Sequence, residues 1–284
     1  MSRGWNVPYN TLYRHHERRS PMTTPFIAEK RSPLKFFLLV FALSIPFWLI
    51  GAVIPLQVLP GLPVSSLMAF CPLIAASILV YREDKTAGVT ELLKRSFDYR
   101  RIRVKAWYIP TVLLMPGITV LSYGLMRLMR LPLPTPQFPV LAALAMFLAF
   151  FVAALGEEVG WVGYAIDPMQ DRWNALQASL LLGLVWAAWH IIPLVQVQRS
   201  PAWLAWWCLF TVALRVLIVW IYNNTGKSVF AAALCHAMAN VSWQLFPNYG
   251  SHWDPRITGL ITALAAVIVT VVWGPRTLTR NRNG

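Results

Sequence analysis

Charge is what this sequence of 284 residues has least of. Only 13% of its residues are charged and just 11 are acidic, against about a quarter charged in an ordinary soluble domain. With 57% of the chain hydrophobic, a water-soluble globule is excluded. The apolar residues come in unbroken runs, and roughly 18 such residues suffice to cross a bilayer. Cysteine is nearly absent as well. Cys71, Cys208 and Cys235 lie in apolar segments with no CxxC spacing, which excludes a secreted disulfide framework and leaves small buried side chains. There is no internal repeat, no low-complexity tract, no HExxH and no soluble domain of useful size. The net charge of +14 does not indicate nucleic acid, because the basic residues sit between the apolar runs and are not gathered on a soluble face.

What is present is a series of apolar spans at about 34–54, 62–81, 106–126, 139–156, 177–195, 202–222, 228–246 and 257–274. The expected fold is an all-α, polytopic membrane bundle of about eight transmembrane helices, forming one membrane domain over residues 34–274. Pro46, Pro72, Pro110 and Pro116 do not veto these spans, since neighbouring helices re-satisfy the backbone groups a proline frees. Residues 1–33 read as a basic, mobile tail and 275–284 as a second basic tail. The first apolar run is too long and too far from the start for a cleaved signal peptide, and Met22 is as good a start as Met1. The loop 82–105 carries Arg82, Lys85, Lys94, Arg95, Arg100, Arg101, Arg103 and Lys105. An even number of spans puts this loop and both tails on one side, which the positive-inside rule makes cytoplasmic. The other side receives Arg127, Arg130, Arg199 and Arg256.

Ionisable side chains within hydrocarbon are costly and mark function. Here they collect in the second half of the chain. Glu157 and Glu158 end the fourth span, His190 ends the fifth, Arg215 lies within the sixth, and His236 and Asn240 lie within the seventh. His236 and Asn240 are four apart and share a helix face, as do Trp186 and His190. Adjacent Glu157 and Glu158 point about 100° apart, so one can face a cavity while the other reaches a partner. Gly156, Gly160 and Gly163 recur at helical spacing and form a strip that allows close helix approach. Taken singly, a membrane histidine is often an interhelical hydrogen-bonder and a glutamate at a helix end is often interfacial. Two carboxylates, two imidazoles and an amide on three spans form a constellation. A proton relay uses the same residue types and stays open at this point.

Glu157-Glu158 followed by Tyr164, then Trp186-x-x-x-His190, then His236-x-x-x-Asn240 resembles the pattern of the CAAX-processing and bacteriocin-immunity family, also called the abortive-infection family, of intramembrane proteases. That pattern is Glu-Glu-x-x-x-Arg, then Phe-x-x-x-His, then His-x-x-x-Asn or Asp. The resemblance covers about residues 140–246. Two positions depart from it: Val162 stands where the motif has arginine, and Trp186 where it has phenylalanine. Because Arg215 needs a carboxylate partner inside its span, it is expected to supply the missing cation and to pair with Glu158.

The resemblance implies an intramembrane endopeptidase acting on a membrane-anchored or prenylated peptide. Glu157 is then the general base on a water, His190 holds that water, and His236 and Asn240 stabilise the oxyanion. Glu158 orients these groups and balances Arg215, with Trp186 and Tyr164 in support. A zinc held by Glu157, His190 and His236 is the metal-dependent version. The implied site opens towards the cytoplasm. A proton-coupled transporter and a catalytically inactive immunity or scaffold protein are the competing readings; Val162 favours the latter.

Overall fold

The computed structural model describes residues 31–137 and 139–280. Most of the expected N-terminal tail, Met22 included, lies outside this range, as does Arg282. The described chain is an all-helical membrane bundle: α1 (Pro33–Val53), α2 (Cys71–Lys94), α3 (Tyr108–Leu128), α4 (Val140–Gly160), α5 (Ile166–Arg172), α6 (Ala175–Gln196), α7 (Pro201–Asn224), α8 (Val229–Gln244) and α9 (Pro255–Trp273). A two-stranded hairpin, β1 (Gln57–Leu59) and β2 (Leu62–Pro63), follows α1. Seven helices are long and apolar enough to cross a membrane. One of these runs without a break from Val140 to Arg172, because α4 and α5 are joined by a π-helical turn, Trp161–Ala165.

Helix starts follow local chemistry. Ser32, Ser200 and Asp254 each accept a hydrogen bond from the first turn and are each followed by proline, which tolerates that position because its missing N–H has no partner there. Asn174 and Gln177 form a reciprocal capping box at the start of α6. The seventh expected span, 228–246, is a helix of only 16 residues, about 24 Å long. Protein walls most of its length, with Val229, Ala232, Cys235 and His236 all buried, so it needs neither the length nor the continuous apolarity of a lipid-facing helix.

Close packing brings the functional helices together. A Cβ on Gly160 would lie 2.6 Å from the Pro72 backbone oxygen, and one on Gly156 would lie 2.9 Å from the Ala69 oxygen. The glycine strip therefore seats α4 against the start of α2. Gly163 has no comparable contact; its carbonyl accepts from Arg31 and Arg95 instead. Gly183 lets α7 approach α6 until a Cβ there would be 3.2 Å from the Arg215 Cβ. Ser44 with Trp189 and Ser122 with Thr258 hydrogen-bond across helices at 2.7 Å, each stabilising by about 0.6 kcal/mol on average in a membrane bundle.

The bundle has two distinct ends. At one, Arg31 and Arg95 meet Gly163, Asp98 caps α8 through Ser228 Oγ (2.6 Å) and the Phe230 N–H (3.1 Å), and the carbonyls of Pro275 and Arg276 accept from Leu176 and Ala175. Residues 275–278, expected as tail, are thus docked, and Leu278 is buried. Both described chain ends and the basic 82–105 segment share this end. At the other end, Gln196 donates to the Trp48 carbonyl, Gln244 to that of Pro60, and the hairpin covers the loops.

Candidate active site

Glu157, His190, His236 and Asn240 line one cavity of about 170 Å³. Each comes from a helix position that the fold fixes. Glu157 is buried near the end of α4, where its Oε2 accepts from the Trp186 indole N–H at 2.7 Å and from that of Trp161 at 3.4 Å. Both indoles bind the same oxygen, so Oε1 has no protein partner among the described residues. Trp186 holds the base because it is not phenylalanine: a phenyl ring has no N–H to donate. Trp161, four residues after Glu157 on the same helix, was not among the residues singled out from the sequence. Its i+4 spacing is a signal that could have found it.

Glu158 points the other way and is fully buried. Arg215 Nη1 donates to its Oε2 at 2.7 Å, and His236 Nδ1 lies 2.9 Å from its Oε1. The pairing expected between Arg215 and Glu158 is therefore present. The guanidinium carbon sits 4.0 Å from the centre of the Trp186 ring, a contact worth about 2 kcal/mol when desolvated. Val162 is buried in apolar surroundings. The cation absent from α4 is supplied by α7.

The imidazoles have defined hydrogen-bonding states. His190 Nδ1 lies 2.9 Å from the Trp186 carbonyl. A carbonyl only accepts, so Nδ1 carries the proton and neutral His190 presents Nε2 as an acceptor. His236 commits Nδ1–H to Glu158 in the same way. The Trp186 ring packs edge-on against both imidazoles, at 5.4 and 5.1 Å between centroids.

Two expectations require correction. Tyr164 is not at the cavity. It lies about 10 Å further along the helix, within the π turn, where its hydroxyl donates to Glu83 Oε1 at 3.0 Å. The proposed zinc ligands do not assemble: among the described residues no group of three His, Cys, Asp or Glu side chains is placed to hold a metal ion. The cavity extends from Glu157 towards Gly61, Arg199, Trp243 and Trp253, at the hairpin end. At the opposite end, Asp98 caps α8.

Residues 139–242 match the family described as type II CAAX prenyl endopeptidase Rce1-like. That segment contains Glu157, Glu158, Trp186, His190, Arg215, His236 and Asn240. Over 271 residues, 84% of this chain and 94% of the relative, the chain is 28% identical to CAAX prenyl protease 2 of Methanococcus maripaludis. The matched segment is thus similar to the CAAX prenyl endopeptidases. Set against the family pattern, its buried carboxylate–cation pair is built between two helices, and its first-histidine motif carries an indole in place of a phenyl ring. It is a membrane-embedded endopeptidase whose candidate machinery lies within the matched segment.

Proposed function

We propose that the protein hydrolyses a peptide bond in a membrane-anchored substrate, using a water activated by Glu157. The observation that carries this reading is the divided carboxylate: Oε2 is fixed by two indoles, while Oε1 is left for a water in the cavity that His190 also lines. His190 Nε2 accepts from that water and Glu157 takes its proton. The hydroxide attacks the scissile carbonyl, and Asn240 with His236 donates to the developing oxyanion, each donor worth roughly 3–4 kcal/mol in comparable sites. With Nδ1–H given to Glu158, His236 donates from Nε2 only when doubly protonated. Glu158 and Arg215 position that ring and cancel one another's charge. The proton then passes from Glu157 to the leaving amine. No step is routed through a metal, because the donor geometry does not fit one.

The substrate class is a peptide carrying a lipid or transmembrane anchor, in keeping with a relative named for CAAX prenyl proteins. The test is cleavage of lipidated peptides in liposomes by wild type, Glu157→Ala and His190→Ala. Loss of products by both variants, with unchanged folding, supports the assignment. Full activity of Glu157→Ala overturns it.

A further inference from the structure

A second cavity lies at the basic end of the bundle and shares no lining residue with the catalytic one. It is a groove of about 890 Å³ between the start of α1, α5 and the first half of α6. Part of its lining is apolar. Leu34 and Leu181 are exposed on helices long and apolar enough to cross a membrane, and half-buried Phe37 and Val185 continue that surface. The rest is charged: Arg31, Asp171 and Arg172 line it. None of these three takes part in an ion pair among the described residues, so two arginines against one aspartate leave the groove with excess positive charge. Arg31 is held in place. Its Nη1 donates to the Gly163 carbonyl at 3.1 Å, and its guanidinium carbon lies 5.2 Å from the centre of the Tyr164 ring. Its Nε is buried without a partner among the described residues. Burial, then the neighbouring Arg95, hold its pKa below the ordinary value, and Glu83 and Asp84 offset this only in part. The Arg172 guanidinium carbon lies 5.3 Å from the centre of the exposed Trp173 ring, which also lines the groove. An indole between apolar helix and basic end stands where a membrane surface favours it.

We propose that this groove seats an anionic phospholipid of the leaflet on the basic side, with its phosphate at Arg31 and Arg172 and an acyl chain along Leu34 and Leu181. The guanidinium fork matches phosphate oxygens in two-point contact, and cations beside a membrane span attract anionic headgroups. Charge selects among lipids. A phosphatidylglycerol head carries net negative charge and answers the groove's excess. A phosphatidylcholine head brings its own cation and leaves that excess in place. Free phosphate would use the arginines and leave the apolar surface bare. Because the groove is separate from the cavity of Glu157, the proposal stands or falls without the protease reading.

The test is native mass spectrometry of the full chain in detergent, titrated with phosphatidylglycerol, with phosphatidylcholine of the same acyl chains, or with inorganic phosphate. Wild type should retain phosphatidylglycerol in preference to both. Arg31→Gln and Arg172→Gln should each weaken that binding about 5-fold, and the double variant roughly 30-fold, the contribution expected of cations at a membrane surface. The Gly163 carbonyl keeps its bond from Arg95 in these variants, and thermal unfolding checks that they fold. Arg31→Lys/Arg172→Lys, which keeps the charge, should recover part of the affinity. Leu181→Trp, which crowds the apolar surface and leaves the charge alone, should also weaken retention. Arg100→Gln/Arg103→Gln removes two exposed cations outside the groove and should change nothing. Equal retention of the two lipids by wild type overturns the proposal. So does an equal loss in the two double glutamine variants, which would mark diffuse attraction to a basic surface. Inorganic phosphate that displaces the lipid at equal concentration, with Leu181→Trp unaffected, would mark an ion site and also overturn it. If the glutamine variants fail to fold, the wild-type comparison of the two lipids and Leu181→Trp decide the matter.

Discussion

Replacing Arg215 by methionine isolates the buried ion pair. Arg215 and Glu158 are both inaccessible to solvent, and the contact is 2.7 Å. Methionine keeps most of the stem and removes the cation. Glu158 is then left buried with only His236 to answer it. Breaking such a pair from one side costs about 3–5 kcal/mol, a change of roughly 10²- to 10³-fold or more in the folded-to-unfolded ratio. The guanidinium's stacking on Trp186, worth about 2 kcal/mol, belongs to the same loss and is not added to it. Removing both charges behaves differently. In Glu158→Gln/Arg215→Met no charge is stranded, so a large part of the stability returns, and the coupling energy of the cycle exceeds about 2 kcal/mol. Reversible unfolding in mixed micelles of the four proteins measures this directly. A single-variant cost below about 1 kcal/mol, or additive single costs, would refute the account of a desolvated pair.

Other expectations concern the base, the capped loop and the side of the membrane. Trp186→Phe removes the 2.7 Å indole bond to Glu157 and keeps an aromatic face for Arg215. A charge-assisted bond of about 1.5–3 kcal/mol corresponds to a fall in kcat of roughly 10- to 150-fold; steady-state kinetics showing an unchanged kcat would deny it a positioning role. At the start of α9, burial pushes the Asp254 carboxyl up, but hydrogen bonds from the Arg256 side chain and backbone outweigh this and hold it below its ordinary value of 3.8. A depressed folded-state pKa gives stability that is present above the unfolded value and lost as pH falls through the folded one. The stability gap between wild type and Asp254→Ala, about 1 kcal/mol for a cap, should therefore hold above about pH 4 and close below it. A gap unchanged in thermal unfolding at pH 3 would contradict this. For sidedness, single cysteines at exposed Asn248 and Arg100, in a background lacking Cys71, Cys208 and Cys235, report the two ends. With the basic end cytoplasmic, an impermeant maleimide applied to intact cells should label position 248 and spare 100; the reverse pattern places the cavity mouth inside.

Much of the bundle was legible because lipid imposes simple rules. Long apolar runs gave the seven long helices, and the cost of an arginine in hydrocarbon pointed from Arg215 to a carboxylate before any coordinates. The i, i+4 spacing of His236 and Asn240 placed both on the cavity wall. What escaped depended on geometry that linear spacing does not carry. Tyr164 falls within the π turn at Trp161–Ala165 and bonds Glu83 in place of lining the cavity, which the motif alone does not reveal. The helix of His236 is short because protein surrounds it, whereas hydropathy reads only composition. The cap of α8 comes from Asp98, 130 residues from Ser228, in a loop that otherwise reads as basic charge for the positive-inside rule.

The two departures from the family pattern are physically linked. Glu158 has no access to water, so its ionised form needs a cation within reach. With Val162 in the motif position, that cation must come from a neighbouring helix. Arg215 on α7 reaches Glu158 because Gly183 lets α7 lie close to α6; a Cβ there would stand 3.0 Å from the Val212 Cα and 3.2 Å from the Arg215 Cβ. The guanidinium must then cross the face of residue 186. A large indole stacks under it at 4.0 Å, and the same indole turns its N–H to Glu157. Trp186 therefore serves both carboxylates at once, cushioning the counter-ion of one and fixing an oxygen of the other. An apolar residue at 162 is thus compatible with a polarised site, because the charge it lacks is delivered through the residue that departs from the pattern at 186.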